Sequence, residues 1–222
     1  MSELPRTLDE TLIELNQAVT RAIEDGQTRL QVTIKIPGID ILPVVQSLVA
    51  ELTAPQAVVF TDPGAAALAR RTLGAVDYDL RGISELLRSG LDYNAFVLLE
   101  PGAVEVEAVE KLASAIPGKP LLLLNSHLEE GGMVGIGLAG RQLRQRFLST
   151  FKTVYAIQPL DAGAVYRCYP RRWQLWREVE GDYVLAAELD QQPSGEEIDN
   201  AFNPRGEGLL DGLRRFLRAL GN

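Results

Sequence analysis

Residues 119–140 read KPLLLLNSHLEEGGMVGIGLAG. Four consecutive leucines between a proline and an asparagine leave no polar face, so a strand here must be covered on both sides. Two earlier runs share this character, AVVFT at 57–61 and AFVLL at 95–99, and a further one, TVYAI, occupies 153–157. The stretch TRLQVTIKI (28–36) differs, because it alternates and puts Leu30, Val32, Ile34 and Ile36 on one face. Helical patterns fill the intervals at about 41–53, 63–74, 83–91 and 103–116, with a basic helix at about 138–151. Apolar runs that alternate with helices predict an α/β three-layer sandwich, with a mostly parallel central sheet and right-handed crossovers.

Both ends of the chain depart from that grammar. Thr7 and Glu10 stand in capping-box spacing before the stripe Leu8, Leu12, Leu15, Val19 and Ala22, a helix that stops at Gly26. From about residue 164, AVYRCYP, WQLWREV and YVLAAEL read as three short strands, the last two joined by the turn Glu180-Gly181-Asp182. They form an antiparallel C-terminal extension. A short helix over SGEEIDNAF and an amphipathic one at 206–220 follow. One domain is expected over 1–222: a parallel core at 1–160, antiparallel strands at 161–192 and C-terminal helices at 193–222.

Composition removes several function classes. The net charge of −8 argues against a general nucleic-acid binder, which presents a basic face to phosphates. Cys168 and His127 are the only cysteine and histidine, which excludes an intrachain disulfide, a CxxC pair, an HExxH helix and a His-rich zinc site. The pattern suggests no metal, no catalytic set and no particular cofactor. No secretory pattern opens the chain and no apolar stretch reaches the ~20 residues of a membrane span, so a soluble, cytoplasmic protein is expected.

Candidate ligand-binding residues follow from the parallel sheet, where ligands bind outside the carboxyl ends of the strands. Those ends are Asp62, Glu100, Asn125 and Gln158. Gly64 opens a helix whose free amides can hold an anion, but Asp62 is placed to cap those amides itself, and a carboxylate there repels phosphate. Gly135, Gly137 and Gly140 match G-x-G-x-x-G, but about ten residues separate them from the strand, so the context of a dinucleotide fingerprint is missing. Residues 131–140 read instead as a lid over the strand ends or as a plain connection. Arg141, leading the basic run, faces a phosphate, an acidic partner or simply solvent. In the last hairpin Arg171, Arg172, Trp173 and Trp176 suit a protein contact, where Trp and Arg are enriched, or plain packing.

Several of these stretches in order resemble an uncharacterised domain shared by cyanobacteria and chloroplasts. The resemblance rests on Leu4-Pro5, Phe60 to Ala69, Leu121 to Asn125, Arg146 to Phe151 with Tyr155 and Pro159, and Tyr169-Pro170 with Trp173 and Gly181 to Tyr183. Relatives in plants include a factor linked to photosystem II accumulation and a fusion to a chloroplast adenylate kinase. The resemblance implies a photosynthetic setting, in cyanobacterial cytoplasm or chloroplast stroma, and no catalytic residues. Two functions are therefore expected: a non-enzymatic accessory protein that binds a component of a photosynthetic complex, or a nucleotide- or phosphometabolite-binding protein. Peripheral contact with thylakoid lipid through 206–220 is a weaker third expectation.

Overall fold

The computed structural model describes residues 3–129 and 137–203, and in it the apolar runs become the centre of a nine-stranded sheet. The strands are β1 (Arg29–Ile34), β2 (Gln56–Phe60), β3 (Asp79–Gly82), β4 (Ala95–Leu99), β5 (Leu121–Leu124), β6 (Lys152–Leu160), β7 (Gly163–Cys168), β8 (Trp173–Val179) and β9 (Asp182–Leu189). Their order is β3-β2-β4-β5-β1-β6-β7-β8-β9. The pairings from β3 to β6 are parallel and those from β6 to β9 antiparallel. The fold is thus the mixed α/β architecture expected, parallel at its centre with an antiparallel C-terminal part. The helices are α1 (Leu8–Glu24), α2 (Ile41–Ala50), α3 (Pro63–Leu73), α4 (Ile83–Ser89), α5 (Val106–Ala115), α6 (Gly137–Arg146) and α7 (Gly195–Phe202).

Crossover direction decides which face each helix covers. From β1 the chain moves outward to β2 and β3, and then returns through β4 and β5 to β6 on the far side of β1. Right-handed connections that reverse direction must place their helices on opposite faces. Accordingly α1 and α2 cover a first face, packing Leu15, Val19, Val44 and Leu48 on Leu30, Val32, Val58, Val97 and Leu122. The second face carries α4 and α5, with Leu86, Val109 and Leu112 on Val59, Phe96, Leu98 and Leu123. Further along, Phe202 of α7 packs on Ala156, Val165, Trp173 and Leu175, closing the second face over the antiparallel strands.

Local chemistry sets the boundaries. Thr7 caps α1 in a full capping box with Glu10, and Asp62 caps α3, accepting from the N–H groups of Gly64 and Ala65 at 3.0 Å each. Arg29, half-buried at the start of β1, donates to the carbonyls of Ala113 (2.5 Å) and Ile116 (3.2 Å), satisfying the carboxyl end of α5. Glu180 and Gly181 take φ of 54° and 88°, the left-handed pair a two-residue β8–β9 hairpin needs. Two elements differ from the sequence pattern. Strand β3 was not expected, because Leu80 is its one buried side chain of any size and no apolar run announces an edge strand. The basic helix ends at Arg146 and not near 151, because Phe147 leaves helical geometry (φ −126°) to bury its ring on the second face. The amphipathic helix at 206–220, Gly135 and residues 131–136 of the expected lid lie outside the described residues.

Candidate functional site

Strand β1 buries its side chains on one face only. Leu30, Val32 and Ile34 are in the first core, whereas Gln31, Thr33 and Lys35 point to the second face, where neither the α4–α5 layer nor α7 reaches. The result is a trough of about 820 Å³ along β1 and β6. Gln31, Thr33, Lys35, Thr153 and Gln158 contribute its floor; Leu123, Leu128, Leu148 and Phe151 form one wall, and Arg167, Trp173 and Asp190-Gln191-Gln192 the other.

A β-bulge helps shape the floor. Gln31 pairs with Thr153 and Val32 with Tyr155, so Val154 is an extra residue in β6. Val154 and Tyr155 both turn to the first core, which leaves Thr153 and Ala156 on the trough side. In register across the sheet run Thr33, Ala156 and Arg167, and the small alanine between two longer side chains keeps the floor low.

Arg167 is the charged centre. It is only 9% exposed, its Nε donates to the carbonyl of Thr153 at 3.5 Å, and its Nη1 donates to the carbonyl of Arg171. Its guanidinium lies 6.0 Å from the centre of the Trp173 ring. Among the described residues it has no carboxylate partner, and burial lowers its pKa from the ordinary arginine value. A buried cation held by carbonyls and a ring, without a counter-charge among the described residues, has donors to spare for an anion.

The surrounding charge agrees. Lys35, Arg144 and Arg167 line the trough against Glu129 and Asp190, while Lys152, which borders it, carries its ammonium to the first face, 4.4 Å over the Tyr169 ring. Both carboxylates already meet arginines: Glu129 pairs with Arg144, and Asp190 with Arg172 at 2.6 Å. The side chains of Gln31, Thr33, Thr153 and Gln158 make no hydrogen bond within the described chain, although each is only partly exposed. A positive, hydrogen-bonding trough therefore sits in a chain whose net charge is −8.

The strand-end candidates fall in different places. Asp62, Glu100 and Asn125 lie side by side at the ends of β2, β4 and β5, but none of them lines the trough; Gln158 does. Asp62 is occupied in capping α3 over Gly64. Asn125, at φ 50°, accepts the Ile34 N–H on Oδ1 at 2.7 Å and so pins β5 to β1. Glu100 is exposed and its N–H bonds to the Leu124 carbonyl at 2.8 Å. Gly137 begins α6, Gly140 is buried in it, and Arg141 is exposed away from the trough, one turn before Arg144 at the rim.

In the last hairpin Trp173 and Trp176 are 7% and 5% exposed and belong to opposite faces, in the third and first cores. Arg171 is half-buried and Arg172 exposed. The residues that sequence reasoning left out of the site are Gln31, Thr33, Lys35, Thr153 and Arg167. The signal for the first two was present: alternation in β1 between neighbours that have no polar face.

This architecture defines a class: an open α/β sheet protein with a polar trough carrying cationic side chains where, among the described residues, one strand lacks its second helical layer. The family model for a domain of unknown function, DUF1995, matches residues 5–200, and the chain belongs to that family. No solved structure matches the chain. Among the described residues no helix is long and apolar enough to cross a membrane, and no group of three or more His, Cys, Asp or Glu is placed to hold a metal ion.

Proposed function

We propose that this protein binds a small, polar, anionic ligand in the β1/β6 trough. The observation that carries this reading is Arg167, a buried cation whose partners are carbonyls and an aromatic ring. Burying a charge with nothing opposite it costs several kcal/mol, and an anionic ligand offsets that cost. The test is the melting temperature of the chain against inorganic phosphate, sulfate, citrate and ATP. A ligand at 100 times its Kd adds about 2.7 kcal/mol, which is a rise of roughly 2–4 °C per kcal/mol for a domain of this size. Arg167→Gln should abolish the rise. No rise with any anion, or one that Arg167→Gln leaves intact, sinks the reading.

A second reading is an accessory role, by protein binding, in the photosynthetic apparatus of a cyanobacterium or plastid, and strand β9 supports its protein-binding part alone. It is the last strand in the sheet order, and Tyr183, Val184 and Leu185 along it are exposed. An edge that is unpaired among the described residues and carries apolar side chains is suited to pairing with a protein segment. With the chain as bait on solubilised thylakoids, a photosystem component should be recovered by the natural sequence and lost with Leu185→Lys. Equal recovery by both counts against this role.

A further inference from the structure

Resting on the anion-binding reading of the trough, we infer that its ligand is a phosphorylated polyol, a sugar phosphate in preference to a nucleotide. Three observations on the trough walls lead there. First, the trough side carries the cations Lys35, Arg144 and Arg167 against Glu129 and Asp190, both carboxylates already paired with arginines, which suits a phosphate monoester bearing about −1.5 to −2 at neutral pH. Arg167 still has guanidinium N–H groups beyond the two that meet carbonyls, and its fork geometry fits phosphate oxygens.

Second, the groups that flank the anion's place, where the rest of its molecule would lie, are amides and hydroxyls. Thr33 lies in the same cross-strand row as Arg167, with Gln31 and Thr153 paired one row toward the amino ends. Gln158 lies one row toward the carboxyl ends, and rows on one face are roughly 6.6–6.8 Å apart. A glutamine amide both donates and accepts, as does a threonine hydroxyl, and the complementary ligand group is a hydroxyl that does the same.

Third, among the described residues both aromatic side chains of the lining are already engaged. The Trp173 ring is covered by Arg167 at 6.0 Å, and Phe151 is engaged edge-to-face with Phe147 at 5.4 Å. Base recognition draws much of its affinity from stacking, and a 7% exposed Trp173 and a Phe151 already in contact with Phe147 are poorly suited to it. Hydroxyl recognition needs no stacking.

The experiment is calorimetric titration of the full chain with glucose 6-phosphate, glycerol 3-phosphate, AMP, inorganic phosphate and glucose. Glucose 6-phosphate should bind at least ~10-fold more tightly than inorganic phosphate or AMP, and glucose alone should not register. Gln31→Leu and Gln158→Leu, both at half-exposed positions that leave the fold intact, should each weaken glucose 6-phosphate by about 10-fold. Neither should change the affinity for inorganic phosphate. Phosphate or AMP binding as tightly as the sugar phosphate, with both leucine variants silent, overturns the polyol assignment but leaves an anion site lost on Arg167→Gln. Absence of binding by every phosphate, with Arg167→Gln indistinguishable from the parent, is the different failure that removes the site itself. Phosphatidylglycerol vesicles separate a free ligand from a lipid headgroup. Co-sedimentation that depends on Arg167, without binding of the soluble esters, overturns the free-metabolite form.

Discussion

Strands β5 and β1 are hydrogen-bonded neighbours, yet they are built to opposite specifications. Every residue of β5, Leu121 to Leu124, is buried, two on each core. In β1 only Leu30, Val32 and Ile34 are buried, and the other face presents Gln31, Thr33 and, just beyond, Lys35. The pairing of Gln31 with Leu123 places an amide and a leucine side by side on the same face of the same sheet. What separates them is the covering layer. Over Leu123 lie α5 and the Phe147-Leu148 corner, whereas over Gln31 lies the trough. A central strand that gives up half its apolar surface in an otherwise closed core forgoes roughly 1.5–3 kcal/mol per side chain. Such a departure from local consistency marks a functional surface.

The sharpest way to break this comparison is to treat Leu123 as if it were Gln31. Leu123 is 1% exposed, and a buried leucine cut to alanine loses transfer energy and leaves a cavity, roughly 2–5 kcal/mol together. Leu123→Ala should therefore lower Tm by about 2–4 °C for each kcal/mol, as read by differential scanning calorimetry. A loss below ~1 kcal/mol would mean that the trough already reaches under Leu123 and that the wall between the two regions is soft. Anion affinity in the same variant sharpens the point, since Arg167 is held by β6, β7 and β8 and should bind as before.

The difference between the two strands is visible in the letters, PLLLL against RLQVTI, and so are the parallel order of runs and helices, the caps at Thr7 and Asp62, and the Glu180-Gly181 hairpin. Alternation in β1 could be read from sequence, but its meaning could not. An alternating strand at a sheet edge is unremarkable; the same strand between β5 and β6 is a gap in a layer, and the strand order comes only with the fold. Arg167 was hidden for a related reason. In the sequence it sits among aromatic and basic residues of a hairpin, and only parity across β6, β7 and β8 shows that it faces the trough while Tyr166 and Cys168 face α1. The same parity separates Trp173 from Trp176, since residues three apart on a regular strand point to opposite faces. Asn125 stood out as a polar strand end, but its side chain is taken up by the Ile34 N–H, a contact 91 residues away in sequence that no local pattern announces.

The smallest expected effect discriminates best between a trough kept for ligand and one kept for stability. Gln31 and Thr33 make no side-chain hydrogen bond within the described chain. Replacing both with valine therefore breaks no internal bond, and valine suits a pleated strand at least as well as glutamine does. If the polar face of β1 serves a ligand, the double variant Gln31→Val/Thr33→Val folds with a stability within about 0.5 kcal/mol of the parent, or slightly above it. If instead these groups support the fold through an ordered polar network, each loss costs roughly 1–3 kcal/mol and the two together are plain in a urea titration. Unchanged stability with weakened binding of a hydroxylated phosphate would show that this face is retained against the interest of the core. Lost stability with unchanged binding would return Gln31 and Thr33 to structure, and leave the claim on the ligand to Arg167, Thr153 and Gln158.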